Sequence, residues 1–528
     1  AYRPTSTLRY TFDVSFQTNN QKVKKFLPKS ASGLIWTDSR VNNASDADSE
    51  SFSIQTFNKL YYTPNSGIFE DEYKHRLITL LGVSTGDSQG YSFSSASTNL
   101  PNEAFQDPSI LSKVYPNGSA SSGASRNRSL TGFLNANYTL LDKYVAYANL
   151  TLNGSSRFGE TYRYGLFPSF STRYRLSGES FMEKLTWLDD LSLRASWGMS
   201  GKAPERNYMF YNNYSTYDWT YGEMAATYPS NIELRELRWE KSIQTNYGLN
   251  FIAFDNKLNL EAEYYTRTVR DQWSDEASIP LTSGYSEMGL NYGVVQNRGW
   301  EVSVNFSPVT TKDLRVNLAF NVSRSENVIK EISQYASMES GSWSNRGQYL
   351  SRVVIGKPTG SFFGYLYDGV YLNKDQTIAM DEMGNQIFTV DEQGNQQPVY
   401  MRFGYPSINY QFQPGDARYV DVNHDGNINY QDIVWLGDKN PLFTGGFTPS
   451  IKWKQWSLNT VFFFRYGNYI KNTARMNLER MYSYENQSTA VLKRWTHPYE
   501  NPEDAPKDIL PRALYGTGYN WLGSSRYV

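Results

Sequence analysis

Between Gly299 and Arg324 the chain reads GWEVSVNFSPVTTKDLRVNLAFNVSR, with an apolar residue at nearly every second position. Trp300, Val302, Val304 and Phe306 alternate with Glu301, Ser303, Asn305 and Ser307. After a polar turn at 310–313, Leu314, Val316, Leu318, Phe320 and Val322 alternate with Arg315, Asn317, Ala319, Asn321 and Ser323. Side chains on a strand point to opposite faces in turn, so each arm of this hairpin has one apolar and one polar face. Such a hairpin suits a sheet lying on a soluble core or the wall of a membrane barrel. What decides is whether the pattern repeats, and where the connections fall.

It does repeat. Leu8 to Phe16, then 52–62, 73–84, 130–140, 144–154, 167–176, 191–199, 247–253, 258–264, 447–453 and 458–466 all read as strands. Residues 179–188 are expected to hold one short helix. Residues 86–129 and 201–240 read as long loops, 325–445 as irregular, and the tail to Val528 as polar and Pro-rich with no strand. The connections alternate in length. Short ones are expected at 64–72, 141–143, 177–190, 255–257, 308–313 and 454–455, and long ones at 18–50, 85–129, 155–165, 201–241, 269–293 and 325–446. A meander with every second connection short is the pattern of an outer-membrane barrel, short turns inside and long loops outside. The polar faces carry Asn, Ser, Glu and Arg, as an aqueous lumen requires. The fold class read here is all-β, a transmembrane antiparallel up-and-down β-barrel with long extracellular loops. A soluble β-rich array is the alternative.

Composition sharpens this. At 528 residues, 51 basic and 52 acidic side chains nearly cancel, which leaves no electrostatic footprint for nucleic acid. Mean hydropathy is −0.60, and no apolar run approaches the length of a spanning helix. That excludes helical membrane proteins but not barrels, whose strands show only half their residues to lipid. The 42 Tyr and 13 Trp suit a membrane interface. There is no Cys, hence no disulfide framework and no thiolate chemistry. The chain opens at Ala1 almost directly in a strand, so a processed or trimmed chain is expected.

Several segments in order resemble the SusC/RagA family of TonB-dependent outer-membrane transporters of Bacteroidetes. They are GSSRFG (154–159) with YGLFPS (164–169), ESFM (179–182), LRASWGMSG (193–201), LRWEKSIQTNYG (237–248), VQNRGWE (295–301) and GKPTGSFFGYLYDG (356–369). The most specific is DVNHDGNINYQDIVWLGDKNPLFTGG at 421–446. The resemblance implies a barrel of about 22 strands with a plugged lumen, of which about thirteen are counted here. It also implies an N-terminal plug and TonB box, neither with a counterpart in this sequence. The expectation is therefore one partial barrel across 1–528, an internal part of a longer transporter.

Asp421, Asn423, Asp425, Asn427 and Asp432 match the spacing of a calcium loop, D-x-[DN]-x-[DN]-G with an acidic residue at position 12. Side-chain oxygens of 421, 423, 425 and 432 and the carbonyl of Asn427 would supply the ligands. Gly426 would permit the sharp turn and Ile428 would anchor it. Asp at position 12 resembles the dockerin-type loop more than the EF-hand. The competing reading is an Asx-rich turn that binds nothing. A structural Ca²⁺ within the extracellular region 325–446 is the expectation.

Catalysis has little support. His75, His424 and His497 lack a partner motif, and the Glu261 and Glu263 pair reads as solvated lumen charge rather than a glycosidase dyad. The cluster Tyr208 to Tyr221 reads as loop packing or partner contact ahead of ligand stacking, with Tyr214, Tyr217 and Trp219 as substrate-binding candidates. Trp300, Val302, Val304, Leu314, Val316 and Leu318 are expected to face lipid, and Glu301, Ser303, Asn305, Arg315 and Asn317 the lumen.

The functional expectation is a non-enzymatic, TonB-dependent importer of a glycan oligosaccharide or oligopeptide. Its expected partners are a SusD-like surface lipoprotein, TonB and outer-membrane lipid, with no nucleic acid. A passive porin-like channel and a secreted β-rich adhesin or carbohydrate-binding protein are the alternatives.

Overall fold

The computed structural model describes residues 1–33, 35, 41–64, 74–109, 118–221, 224–285, 287–332, 339–340, 349–405, 408–515 and 519–528. Fourteen strands belong to the principal sheet. The chain forms two units, residues 1–294 with 304–306, and 295–303 with 307–528.

In the first unit nine strands follow one another as antiparallel neighbours. They are β1 (Leu8–Leu27), β2 (Asn43–Tyr62), β3 (His75–Ser97), β4 (Gly118–Leu140), β5 (Tyr144–Ser155), β6 (Tyr164–Arg175), β7 (Leu188–Lys202), β8 (Glu240–Ala253) and β9 (Leu258–Arg270). In the second unit β10 (Val294–Thr310), β11 (Leu314–Glu331), β12 (Phe443–Trp453) and β13 (Trp456–Asn459) form the same meander, and β14 (Phe462–Tyr466) returns to β12. The expected short turns are found at 141–143, 254–257, 311–313 and 454–455, but the alternation in length fails at 176–187, which is longer than the preceding connection 156–163. Of the short turn expected at 64–72, all but Pro64 lies outside the described residues. At the tightest turns the chain uses left-handed backbone without glycine: Leu141, Asp142, Asp255, Asn256 and Lys454 all have positive φ. Primed turns of this hand match the right-handed twist of the flanking strands.

Several sequence expectations need correction. Residues 18–27 and 43–50 are strand rather than loop, as are 85–97 and 118–129, so β1 to β4 are 20 to 23 residues long. Spanning lipid takes only about 9–11 residues of strand, so these four extend well past it. Their outer halves are mostly polar, with too few apolar positions beyond Tyr91 and Phe93 to give a sustained alternation; the ladder and cross-strand pairs such as Lys22–Asp48 (3.2 Å) hold them. The helix expected at 179–188 is instead two short 3₁₀ turns, Leu176–Gly178 and Ser180–Met182. The strand at 458–466 is broken between Asn459 and Phe462. The loops 201–240 and 269–293 each carry a small hairpin, Tyr214–Tyr221 with Met224–Pro229 and Trp273–Ser278 with Glu287–Asn291.

The largest correction concerns 325–446 and the tail. Residues 349–440 form short strands around a buried core that includes Phe363, Tyr371, Phe403, Phe412, Tyr419 and Ile428. The tail joins that core: Leu522 is buried in it, and Trp521 and Tyr527 fill an adjoining cluster with Met476 and Met481. Ser524 bridges Tyr365 in parallel, with Tyr365 N–H donating to Gly523 O (2.9 Å) and Ser525 N–H to Tyr365 O (3.0 Å). A buried ion pair, Arg512 to Asp416 at 2.8 Å, ties the tail to the same region.

Candidate functional site

Register across β1 to β9 separates two faces. On one, Tyr10, Leu60, Leu81, Leu134 and Leu150 lie in a single cross-strand row. Neighbouring rows add Phe12, Val83 and Leu152, and towards the short turns Leu193, Tyr247 and Tyr264. Nearly all of these side chains are exposed. A continuous exposed apolar face across nine strands is stable only against an apolar medium.

The opposite face is polar. Asn135 accepts from Tyr147 Oη at 3.1 Å, and Thr131 donates to Asn153 at 3.0 Å. Arg194 pairs with both Glu261 and Glu263 at 2.5 Å, which makes the two carboxylates an ion cluster rather than a free acid pair. Gly248 makes room for it: a Cβ there would meet the Arg194 guanidinium at 3.1 Å. Further along this face a cavity of about 650 Å³ is lined by Asn149, Thr151, Asn153, Ser169, Gln244 and Arg267. Sequence reasoning missed it, because its walls come from five strands whose polar positions are individually unremarkable.

In β10 and β11 contacts fall on two separate faces. The Trp300 ring lies 6.2 Å from Phe443, whereas Ser307 donates to Asn317 across the polar side at 3.1 Å.

The aromatic cluster divides. Phe210 turns inward, partly buried against Phe158, Phe167, Leu237 and Trp239. Tyr214 and Tyr217 project from the small hairpin, where Tyr217 packs on Tyr228 at 4.5 Å between ring centroids. Neither lines the polar cavity. The Trp219 side chain lies outside what the structure describes.

The Asp-rich loop turns as its spacing requires. Gly426 has φ +77°, and Ile428 is fully buried beside Phe403, with which it pairs in parallel. Asp421 accepts from the Asp425 and Gly426 amides at 3.3 and 2.8 Å, so its carboxylate is drawn into the loop. Asn423 donates to Asp425 at 2.9 Å, and the Asn427 carbonyl accepts from Asn429 at 3.1 Å. Asp432 is fully buried, its two oxygens accepting from Val422 and Asn429 amides at 2.8 Å each. Burial pushes its carboxyl pKa up, and the nearby Asp421 and Asp425 charges add to the rise. Among the described residues no three His, Asp or Glu side chains stand grouped as metal ligands. Asn429, missed from the sequence, caps the following 3₁₀ turn by accepting from Gln431 N–H.

An antiparallel meander with one exposed apolar face and one polar face is the wall pattern of an outer-membrane β-barrel. No helix among the described residues is long and apolar enough to cross a membrane. The chain belongs to the TonB dependent receptor-like β-barrel family, whose model matches residues 1–448. It is 27% identical to TonB-dependent receptor P39 of Formosa agariphila, over 99% of this chain and 50% of that protein. With TonB-dependent receptor SusC of Bacteroides thetaiotaomicron it shares 28% identity over 52% of this chain and 27% of the relative. In fold it is similar to the RagAB peptide transporter, with a TM-score of 0.74 at 21% identity, over 98% of this chain and 52% of that one. The chain thus spans about half the length of the relatives it matches nearly end to end. The family is one of outer-membrane receptors and transporters, not enzymes.

Proposed function

We propose that this chain is the wall and outward face of a TonB-dependent nutrient importer that works with a SusD-like surface lipoprotein. The observation that carries the reading is the combination of a family barrel wall with a long outward connection that has its own buried core. Ordering so long a connection costs backbone entropy, and a rigid rim repays that cost when something docks on it. The hairpin bearing exposed Tyr214 and Tyr217 is a contact surface of the expected kind. The cargo is an oligosaccharide or an oligopeptide, and the 650 Å³ recess offers amide, hydroxyl and guanidinium groups beside Phe167, Phe170, Trp197 and Met199, suited to either. The likeness to a peptide transporter supports the second, and the relative named SusC keeps the first in view.

The test is uptake by cells lacking the gene. Loss of uptake of one oligomer class, mimicked by collapsing the proton gradient, is the expected result. Uptake indifferent to energy would replace the reading with a passive channel.

We also propose that the loop 421–432 takes a structural Ca²⁺ ion. Support comes from the spacing, the inward Asp421, and the buried Asp432, whose charge repulsion with Asp421 and Asp425 a cation would relieve. Asp421, Asn423, Asp425, Asp432 and the Asn427 carbonyl would hold it. Elemental analysis of protein prepared without chelator is the check.

A further inference from the structure

The apolar belt of β1 to β4 does not simply end at its outer margin. On the same face, two residues past Leu130 and about 7 Å along the strand, stands Arg128, with Arg126 the next outward. Asp87 of the adjacent strand holds both. Its carboxylate accepts from Arg126 Nε and Nη2 at 2.9 and 2.5 Å and from Arg128 Nε at 3.2 Å. Two guanidinium groups share one carboxylate, leaving a net positive charge. Their side chains remain 45% and 61% exposed.

Beyond this pair the register places Tyr91 opposite Glu50 and Ala124, and Phe93 opposite Asp48 and Ser122. These residues line a shallow cleft of about 390 Å³, with both rings exposed. The outward face therefore presents, in rising order, hydrocarbon contacts, a fixed pair of guanidinium groups, and aromatic rings flanked by the Glu50 carboxylate and by Asp48, which also pairs with Lys22. A planar guanidinium recognises phosphate by paired hydrogen bonds. Aromatic faces take the C–H side of a sugar ring, and carboxylates accept from its hydroxyls.

We propose that this face of β1 to β4 seats the phosphorylated glycolipid of the outer leaflet, with its acyl chains on the belt, a phosphate on Arg126 and Arg128, and its first sugars against Tyr91 and Phe93. Continuity with the lipid-facing belt selects this occupant, because the rows run from Leu81 and Leu134 into the charged and aromatic rows on unbroken strands. The inference rests on the membrane orientation of the wall, not on what the barrel transports.

The test uses protein extracted from its native membrane, stripped of lipid and offered neutral phosphatidylcholine vesicles with or without lipid A, or with lipopolysaccharide carrying its core sugars. Wild type should retain lipid A in preference to neutral lipid. The R126Q/R128Q double variant should retain about ten-fold less, the weight of one or two charge-assisted hydrogen bonds, and R126K/R128K should keep part of it. Tyr91→Ser with Phe93→Ser removes no ion pair. It should lower retention of core-bearing lipopolysaccharide and leave lipid A unchanged, so the proposal stays open to test even if the arginine variant fails to assemble. Equal retention in every variant, competition by inorganic phosphate as effective as by lipid A, or a protein rather than lipid captured by a photoreactive group at position 91 would each overturn it.

Discussion

Placing an arginine at Leu134 tests the assignment of faces most directly. Leu134 lies in mid-belt, paired with Leu81 on one side and Leu150 on the other. Along β4 it stands about 20 Å from Leu140 at the inner end and about 13 Å from Leu130 at the outer margin. A charge at that depth has no route to water short of distorting the bilayer, and costs about 2–4 kcal/mol. That corresponds to roughly thirty- to several-hundred-fold in the folding equilibrium. Next along the strand, Asn135 lies on the polar face and accepts one hydrogen bond, from Tyr147. Asn135→Arg should therefore cost about 0.5–1.5 kcal/mol, the worth of that bond. Leu130→Arg, next to the arginine pair, should cost about 0–1 kcal/mol because the charge there reaches the headgroups. The assay is urea unfolding of the protein in lipid vesicles, read by tryptophan fluorescence and by heat-modifiable migration in gels. The expected order of loss is Leu134→Arg, then Asn135→Arg and Leu130→Arg together. Should Asn135→Arg prove the most damaging, the register of β4 is off by one and every face assigned from it reverses.

The same contrast applies to β10, where Val304→Arg should impair assembly more than Asn305→Arg. For the Asp-rich loop, a chelator should lower the unfolding temperature of wild type, while Asp421→Ala should be less stable and indifferent to chelator; an identical chelator response in both would rule out a calcium role. Deleting residues 214–229 should leave assembly intact but reduce the lipoprotein that co-purifies in mild detergent, and unchanged co-purification together with unchanged uptake would remove that hairpin from the interface. Asp381 and Asp391 have carboxyl pKa values held below the ordinary one chiefly by the Asn385 and Asn395 amides. Their contribution to ordering the turn 381–385 and the turn 391–395 of the hairpin Phe388–Val390 with Gln396–Pro398 is present above the ordinary value of 3.8 and fades as pH falls below it. Protease susceptibility of 381–398 should rise only in that acid range, and a rise near neutrality would contradict the turn geometry.

The transmembrane part of the fold was legible because lipid on one side and water on the other impose a period of two. Leu130 to Leu140 alternates for that reason, and the structure pairs it where the sequence placed it. Above the belt neither face meets hydrocarbon, the constraint vanishes, and strands such as Gly118–Leu140 begin in Ser and Gly that sequence reading assigns to loop. The outward core was illegible for a different reason. Its strands are mostly two to five residues long, and partners such as Tyr365 and Ser524 lie too far apart in sequence for any local pattern to join them. At the Asp-rich loop the spacing revealed the turn and the Ile428 anchor. The commitment of both Asp432 oxygens to backbone amides depends on three-dimensional closure and was not visible.

The pairing of Tyr365 with residues 523–525 also sets an order of events in biogenesis. The core around Phe403 and Tyr419 incorporates Leu522, so a chain delivered from its N-terminus holds most of that core's residues, without this distant partner, until residues 519–528 have followed. Closing so long a loop is entropically slow compared with zipping adjacent strands. Adjacent-strand ladders are therefore expected to form before this core closes, which leaves Phe363, Phe403 and Phe412 without their Leu522 neighbour in the interval. In that interval the unclosed core presents aromatic surface, which makes this the step of folding most open to aggregation and proteolysis.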